Sequence, residues 1–354
     1  MRRISTMFAL AAAALAIAGV YVGFLYYGEE RIPGAERVEI RVLPGMYLSD
    51  VERKLVEADL LDHPRLFRWV AVATGRDKKV QAGRYMFLRG QSVARMLDKL
   101  ARAEFEITRL VVPEGFTLRE IARSAWREVE VDSAQFHRLA LNPDFARELG
   151  INAPTLEGYL FPDTYNLSWP LTSRDVVRLM VRRFREVYDE HIALYAKSTG
   201  LSTNEIVTLA SIVQAEAQRA SEMPRIAAVY YNRLRKGLRL EADPTVAYAL
   251  GGVRRGLKYS DLKVESPYNT YRTKGLPPGP ICSPGRAALE AAVRPLEGCD
   301  DLYFVAAGDG THFFSRTHDD HVKAKRLARA MRDTIPDATP EPPKEPETGA
   351  GEVE

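Results

Sequence analysis

A hydrophobic pattern of helical period lies between residues 202 and 217. Ile206, Leu209, Ala210, Val213 and Ala217 recur at the three- and four-residue spacing of one helix face. Ser202-Thr-Asn-Glu205 just before them reads as a capping box, with Ser202 closing the first turn and Glu205 reaching back. The pattern predicts a helix whose apolar face meets a core, with Glu216 at the margin of that face in a segment otherwise poor in charge. Val177, Met180, Phe184, Val187 and Ile192 predict a second helix across 174–199, stopped near Gly200. Ser124 to Leu149 is expected to be helical as well. Pro224 suits the first turn of a further helix that Gly237 can close, and Asp243-Pro244 opens a short one ending at Gly251-Gly252.

Strand signals cluster before glycines. Gly45-Met-Tyr-Leu-Ser-Asp-Val51, Gly90-Gln-Ser-Val-Ala-Arg-Met96 and Gly115-Phe-Thr-Leu-Arg-Glu-Ile121 share one arrangement, an aliphatic residue three positions after the glycine and another three later. Each follows a β-rich stretch: Val38–Val42, Tyr85–Leu88 and Ile107–Val112. The glycine permits a sharp turn, and the Tyr, Ser or Thr before the first aliphatic opens a helix. The unequal intervals between the copies exclude a regular solenoid. Tyr303–Ala307, Gly308-Asp-Gly310 and His312–Phe314 read as a hairpin, and the Gly/Pro-dense run from Gly275 to Gly285 as a rigid loop. Beyond Ile335 the Pro- and Glu-rich chain has almost nothing to bury and is expected to be disordered.

The N-terminal pattern sets the compartment. Met7 to Tyr27 is an unbroken apolar and small-residue run, and about 20 such residues cross a bilayer. Arg2 and Arg3 precede it and Glu29-Glu30 follow, so the positive-inside rule leaves a short cytoplasmic tail and puts the body outside. No convincing small-residue cleavage site follows, which favours an uncleaved anchor over a signal peptide.

Composition narrows the rest. The 354 residues can bury a sizeable core, and a formal net charge of +3 gives no electrostatic case for nucleic acid. The 16 Tyr and 13 Phe offer faces on which sugar rings can stack, although most serve a core. Cys282 and Cys299 lie outside the membrane, where a bridge is permitted; free thiols are expected, since two cysteines make no disulfide framework. His312, His318 and His321, with Asp319 and Asp320, lack metal-ligand spacing, so neither metal nor cofactor is expected.

A carboxyl held against apolar surface resists ionisation and can donate a proton near neutral pH, which is what a general acid needs. Glu216 fits that description; the alternative is a surface glutamate at a stripe margin. Its company decides. Leu156-Glu-Gly-Tyr-Leu-Phe-Pro-Asp-Thr-Tyr165 lies upstream, and Thr208-Leu-Ala-Ser-Ile-Val-Gln-Ala-Glu216 is followed by Tyr230-Tyr-Asn-Arg-Leu-Arg-Lys-Gly237 and Leu240-Glu-Ala-Asp-Pro-Thr-Val246. Ser266-Pro-Tyr-Asn-Thr-Tyr271, Gly275-Leu-Pro-Pro-Gly-Pro-Ile281, Ser283-Pro-Gly285 and Leu302-Tyr-Phe-Val305 complete the set. In this order the motifs closely resemble the endolytic murein transglycosylase family (YceG-like), over roughly residues 38 to 330 and most densely from Leu156 to His312.

The resemblance implies an α+β chain: a cytoplasmic tail (1–6), a transmembrane helix (7–27), a linker (28–37), a small LysM-like α/β region (38–125), a helical connector (126–154), a mixed α+β catalytic domain (155–335) with a lysozyme-like acid on a helix, and the tail 336–354. It implies inner-membrane anchoring with the catalytic domain periplasmic or extracytoplasmic. Peptidoglycan glycan strands are the implied partner, with peptidoglycan synthases as a further class. The implied activity is endolytic cleavage of the MurNAc–GlcNAc β-1,4 bond with 1,6-anhydro-MurNAc ends, trimming or terminating nascent strands. Glu216 maps onto the family's catalytic acid, and Gln214 stands where many members carry a second one. LysM-like modules elsewhere bind N-acetylglucosamine polymers; here the three units could equally serve only to hold the catalytic domain above the membrane.

Candidate second acids are Glu157, Asp163, Glu222 and Asp243. Glu157, in a loop shaped by glycine and proline, either orients substrate or accepts backbone hydrogen bonds. Asp243 is expected at an N-cap. Asn269 and Tyr271 offer an amide and a hydroxyl to sugar groups, and Tyr159 joins Glu157 as a substrate-binding candidate. Of Tyr230 and Tyr231, at least one is expected to be plain core. A hydrolytic muramidase using water and a second carboxylate, and a non-catalytic peptidoglycan-binding scaffold, are the competing functions.

Overall fold

The structure is a computed structural model that describes residues 35–253 and 255–334, together with residues 16, 19, 20 and 23. The expected tail 1–6, nearly all of the membrane helix 7–27, most of the linker 28–37 and the tail 336–354 lie outside the described residues. No helix among the described residues is long and apolar enough to cross a membrane. The described chain is a mixed α+β fold of helices and three antiparallel strand pairs. Contacts divide it into two units that alternate along the sequence: one takes the chain through Val112, Arg119–Leu139 and Asp163–Leu179, the other Pro113–Leu118, Ala140–Pro162 and the chain from Met180.

In the first unit, β1 (Arg37–Val42) pairs antiparallel with β2 (Gly83–Leu88), setting Ile40 opposite Tyr85. The two-residue period of β1 turns Ile40 and Val42 inward. They meet Val51 and Leu55 of α1 (Leu48–Glu57), Phe67 of α2 (Pro64–Ala73), Phe87 of β2 and Leu97 of α3 (Val93–Ala101) in one core. β3 (Ile107–Val111) pairs with β4 (Thr164–Ser168), with Leu110 opposite Tyr165.

The repeated glycine pattern has a structural counterpart. Gly45, Gly90 and Gly115 have φ of 85°, 81° and 82°, and each stands three residues ahead of a helix: α1, α3 and α4 (Leu118–Val129). A side chain at those positions would be strained, so the three glycines mark three strand–turn–helix corners. The expected continuous helix over 124–149 is instead broken. After α4 the chain turns at Glu130 (φ 57°), runs as α5 (Ser133–Ala140), and restarts as α6 (Pro143–Glu148). The last break is a capping event: Asn142 Oδ1 accepts from the Asp144 and Phe145 N–H groups, with Pro143 in the first turn. The helix expected over 174–199 is likewise α7 (Ser173–Val187), a π-helical turn (Tyr188–Ile192) and α8 (Ala193–Thr199), ended by Gly200 at φ 72°.

The second unit is built around α9 (Thr203–Glu216), which packs on α10 (Met223–Arg235), α11 (Asp243–Ala249) and α12 (Arg286–Val293). The one-sided stripe expected for α9 is a correction: every residue from Ile206 to Val213 is buried, Thr208 and Ser211 included. Neighbours on several sides leave no solvent face, and the two hydroxyls satisfy themselves by donating to Asn204 O (2.6 Å) and Thr208 O (2.7 Å). β5 (Tyr303–Ala306) and β6 (His312–Ser315) form the expected hairpin, with Phe304 opposite Phe314. Helix α13 (His318–Thr334) lies against both strands; His318 and His321, read from the sequence as part of a polar stretch, are on it.

Candidate active site

The platform of the site is α9. Glu205 accepts from the Ser202 N–H (2.8 Å) while Ser202 Oγ accepts from the Glu205 N–H (3.3 Å), the reciprocal cap the sequence predicts. Its side chains then pin the Gly275–Gly285 loop, which has no helix or strand. Asn204 Nδ2 donates to Pro278 O (3.1 Å), Ser211 Oγ accepts from the Ile281 N–H (3.0 Å), and Gln214 Oε1 accepts from the Gly285 N–H (2.9 Å). The amide of Gln214 is thus spent holding a loop.

Glu216 is the last residue of α9; Ala217 turns to extended backbone (ψ 128°) and ends the helix. The half-buried carboxyl forms part of the wall of a cavity of about 390 Å³. Tyr230, on α10 and fully buried, donates its hydroxyl to Glu216 Oε1 at 3.0 Å. Burial pushes the Glu216 carboxyl up to about 7; the Tyr230 hydrogen bond opposes that rise and the negative charge of Asp243 adds to it. Standing at the carbonyl end of a helix works in the same direction as burial. Burial and the neighbouring carboxylate hold the Tyr230 phenol well above its usual range, so it stays a donor.

Also in the cavity lining, Tyr271 donates its hydroxyl to Asp243 Oδ1 at 2.6 Å. Asp243 is not the expected N-cap: Ala242 occupies that position, and Asp243 in the first turn faces the cavity. Of the three carboxylates that line the cavity, Glu216 and Asp243 are each bonded to a tyrosine, and the third is Glu241. Arg233 lies in the wall with its guanidinium engaged, donating to Arg239 O (2.7 Å) and Leu302 O (3.0 Å) and pairing with Glu241. Two histidines complete it. His312 Nδ1 lies 2.7 Å from Glu222 Oε2. His321 stacks on Tyr303 (5.1 Å), and its Nδ1 is buried with no hydrogen-bond partner among the described residues. Burial lowers the His321 imidazole to about 4, which keeps it neutral.

Of the sequence candidates, Glu216, Asp243 and Tyr271 line this cavity and Glu157, Tyr159 and Asn269 do not. Glu157 is buried, accepting from the Leu118 N–H (3.0 Å) and the Tyr248 hydroxyl (3.2 Å), which is the hydrogen-bonded loop acid rather than the substrate contact. Tyr159 is corrected from substrate contact to core: it is 1% exposed, sits edge-on to Phe184 and donates to Asn204 Oδ1 (3.1 Å). Asn269 is also corrected; wholly buried, its amide donates to Leu262 O (2.9 Å) and Val264 O (2.8 Å) and staples a loop. Asp163 accepts from the Thr164 N–H (2.7 Å) at the start of β4. Sequence reasoning named Asp243 among the candidate second acids but missed the cavity roles of Tyr230, Arg233 and His312. The Asn-Arg pair two residues after Tyr230 and the histidine within the hairpin were the available signals.

Among the described residues no group of three or more His, Cys, Asp or Glu is placed to hold a metal ion. Cys282 and Cys299 are both free thiols. The chemistry on offer is proton transfer: a carboxyl that carries its proton close to neutral pH, a fixed phenol donor beside it, and a second carboxylate in the same cavity.

The YceG-like family matches residues 40–327. An endolytic murein transglycosylase of Bacillus subtilis is 32% identical over 327 residues, covering 86% of this chain and 89% of that protein. An endolytic murein transglycosylase of Streptococcus pneumoniae is 27% identical over 347 residues; the match covers 87% of this chain and 62% of the relative's length. Among solved structures, a 2.6 Å crystal structure of a yceG-like protein from Listeria monocytogenes aligns with a TM-score of 0.57 at 30% identity, covering 82% of this chain and 99% of that one.

Proposed function

This chain belongs to the YceG-like family, and on that footing we propose that it is an endolytic murein transglycosylase with Glu216 as its acid. The observation that supports the assignment is the Glu216 carboxyl itself, raised to about 7 in a cavity wall and held by a tyrosine that cannot take its proton. Protonated Glu216 gives its proton to the glycosidic oxygen between MurNAc and GlcNAc as that bond breaks through an oxocarbenium-like state. The substrate's acetamido group covers C1. Glu216, now ionised, accepts the proton of the C6 hydroxyl, whose oxygen bonds to C1 and leaves a 1,6-anhydro end. No water enters, and the acid is restored. In our reading strands are cut internally, as the endolytic relatives' names state for those proteins, and nascent strands are terminated or trimmed.

Asp243 favours a second reading. A carboxylate in the same cavity is what a hydrolytic muramidase needs to activate water or to trap C1. In our reading the enzyme is held in the inner membrane by residues 7–27 with its N-terminus cytoplasmic, the LysM-like region meets glycan, and peptidoglycan synthases are partners.

The deciding experiment digests purified sacculi and nascent glycan with the full-length protein and weighs the fragments. Anhydro ends, one water lighter than reducing ends, are expected, and strands blocked at both ends are still cut. Glu216→Gln should slow cleavage by about a hundred- to ten-thousand-fold. Reducing ends from the wild type would establish the muramidase, and a folded Glu216→Gln protein that cuts at the wild-type rate would remove Glu216 from the mechanism.

A further inference from the structure

Glu222 and His312 form a pair that the acid chemistry at Glu216 leaves unused. Glu222 ends a short 3₁₀ turn (Ala220–Glu222) between α9 and α10, and His312 opens β6. The carboxylate holds the histidine twice: Oε1 accepts the His312 backbone N–H at 3.1 Å and Oε2 lies 2.7 Å from Nδ1. The ring is fixed further by Phe304, edge-on at 5.4 Å, and by Phe314 at 6.2 Å. Only 4% of the His312 side chain is exposed, against 17% for Glu222.

A carboxylate only accepts, so the proton belongs on Nδ1. In the neutral imidazole, Nε2 then carries a free lone pair, the one ring nitrogen Glu222 does not hold. His312 lines the same cavity as Glu216, and an aromatic run connects them: Tyr230, bonded to Glu216, is edge-on to Phe304 at 5.8 Å, and Phe304 is the ring against which His312 packs. The acceptors at Glu216 and Asp243 each already receive a tyrosine hydroxyl. His312 adds to them a ring nitrogen whose direction Glu222 fixes from the far side of the ring.

We infer that His312 is a substrate-contacting residue: Nε2 accepts a hydrogen bond from an N–H or O–H of an N-acetylated sugar, while Glu222 sets the tautomer and angle of the ring. The inference rests on the reading that this cavity takes a glycan strand. Because the ring is oriented before the sugar arrives, little ordering is lost on binding. The contact exists before and during bond breaking, so it acts mainly on affinity.

The test uses the full-length Glu216→Gln protein, which binds without turnover, and an N-acetylated glycan tetrasaccharide followed by calorimetry. Adding His312→Asn leaves an amide donor for Glu222 and removes the Nε2 acceptor. Binding is expected to weaken about tenfold, the scale of one hydrogen bond, with an unchanged melting temperature. His312→Gln, whose amide reaches toward the Nε2 position, should recover part of the loss. In the otherwise wild-type chain, His312→Asn should raise KM with little change in kcat. The ¹⁵N resonance of His312 Nε2 in the unmutated protein should shift on adding the saccharide, a readout that needs no variant to fold. Affinity unchanged by His312→Asn, or an Nε2 resonance indifferent to saccharide, overturns the inference. A Glu216→Gln protein that still cleaves strands would instead fail the acid assignment and leave the ¹⁵N comparison standing.

Discussion

Glu216 could be singled out from sequence because its motif and its place beside an apolar run both mark it; the residues that tune it could not. Tyr230 on a helix looks like any core tyrosine, and its hydroxyl reaches Glu216 only because α9 and α10 pack as they do. Asp243 before a proline carries the signature of a cap, which a cavity acid in a first turn shares. Two predictions follow the proton. Tyr230's hydrogen bond favours ionised Glu216 and so lowers its pKa. Tyr230→Phe removes that bond, the pKa rises above about 7, and the acid form survives to higher pH. The alkaline limb of the cleavage profile should therefore move upward; a limb that stays put would show that the hydroxyl does not tune the acid. Stability carries the same proton with its own sign. The folded carboxyl titrates near 7 and the unfolded one near 4.5, so between those values the folded chain binds more protons. Wild-type stability loses a contribution as pH rises from about 4.5 to 7, and the loss is complete above that. Glu216→Gln cannot lose it. Urea midpoints at pH 4.5 and pH 8 should differ less, in the destabilising direction, for the variant than for the wild type; equal differences would mean the carboxyl is not desolvated.

At the scale of elements, what is written locally was legible and what neighbours impose was not. The Ser202–Glu205 cap and the Gly200 stop are chemistry within a few residues, and both stand where the sequence puts them. The burial of α9 from Ile206 to Val213 on all sides depends on helices that arrive later in the chain, and the small polar residues Thr208 and Ser211 made it look one-sided. The Glu157–Asp163 motif was read as a shaped loop, which it is, but its shape serves packing. Gly158 there has φ 83°, and a Cβ would lie 2.5 Å from the Pro280 ring and 2.9 Å from Val207 Cγ1. A proline ring cannot rotate aside as a long side chain can. Gly158→Ala adds backbone strain to that overlap, and the expected loss is roughly 2–5 kcal/mol in a urea titration. A loss below about 0.5 kcal/mol, the range of an ordinary surface change, would mean the Pro280 loop yields freely.

At the scale of the whole chain, pairing was the least legible property. β3 finds β4 far along the sequence, and neither five-residue alternation names its partner. The segments drawn from sequence are contiguous, whereas the two units alternate along the chain. The N-terminal anchor, which lies almost wholly outside the described residues, is a proposal that rests on composition alone. Met7–Tyr27 carries no charged residue, Arg2 and Arg3 precede it, and Glu29-Glu30 follow. Burying such a run in lipid is favourable for nearly every residue, while carrying two arginines across is costly, so the arginine end should stay inside. The full-length protein should remain in the inner-membrane fraction after carbonate or high-salt washing, because an integral helix, unlike a surface contact, does not depend on charge. A reporter fused after residue 335 should be active only outside the cytoplasm. Arg2→Glu with Arg3→Glu reverses the charge at the retained end and should lower that reporter's activity. Quantitative release of the wild-type chain into the soluble periplasm would show that the run is a cleaved signal instead.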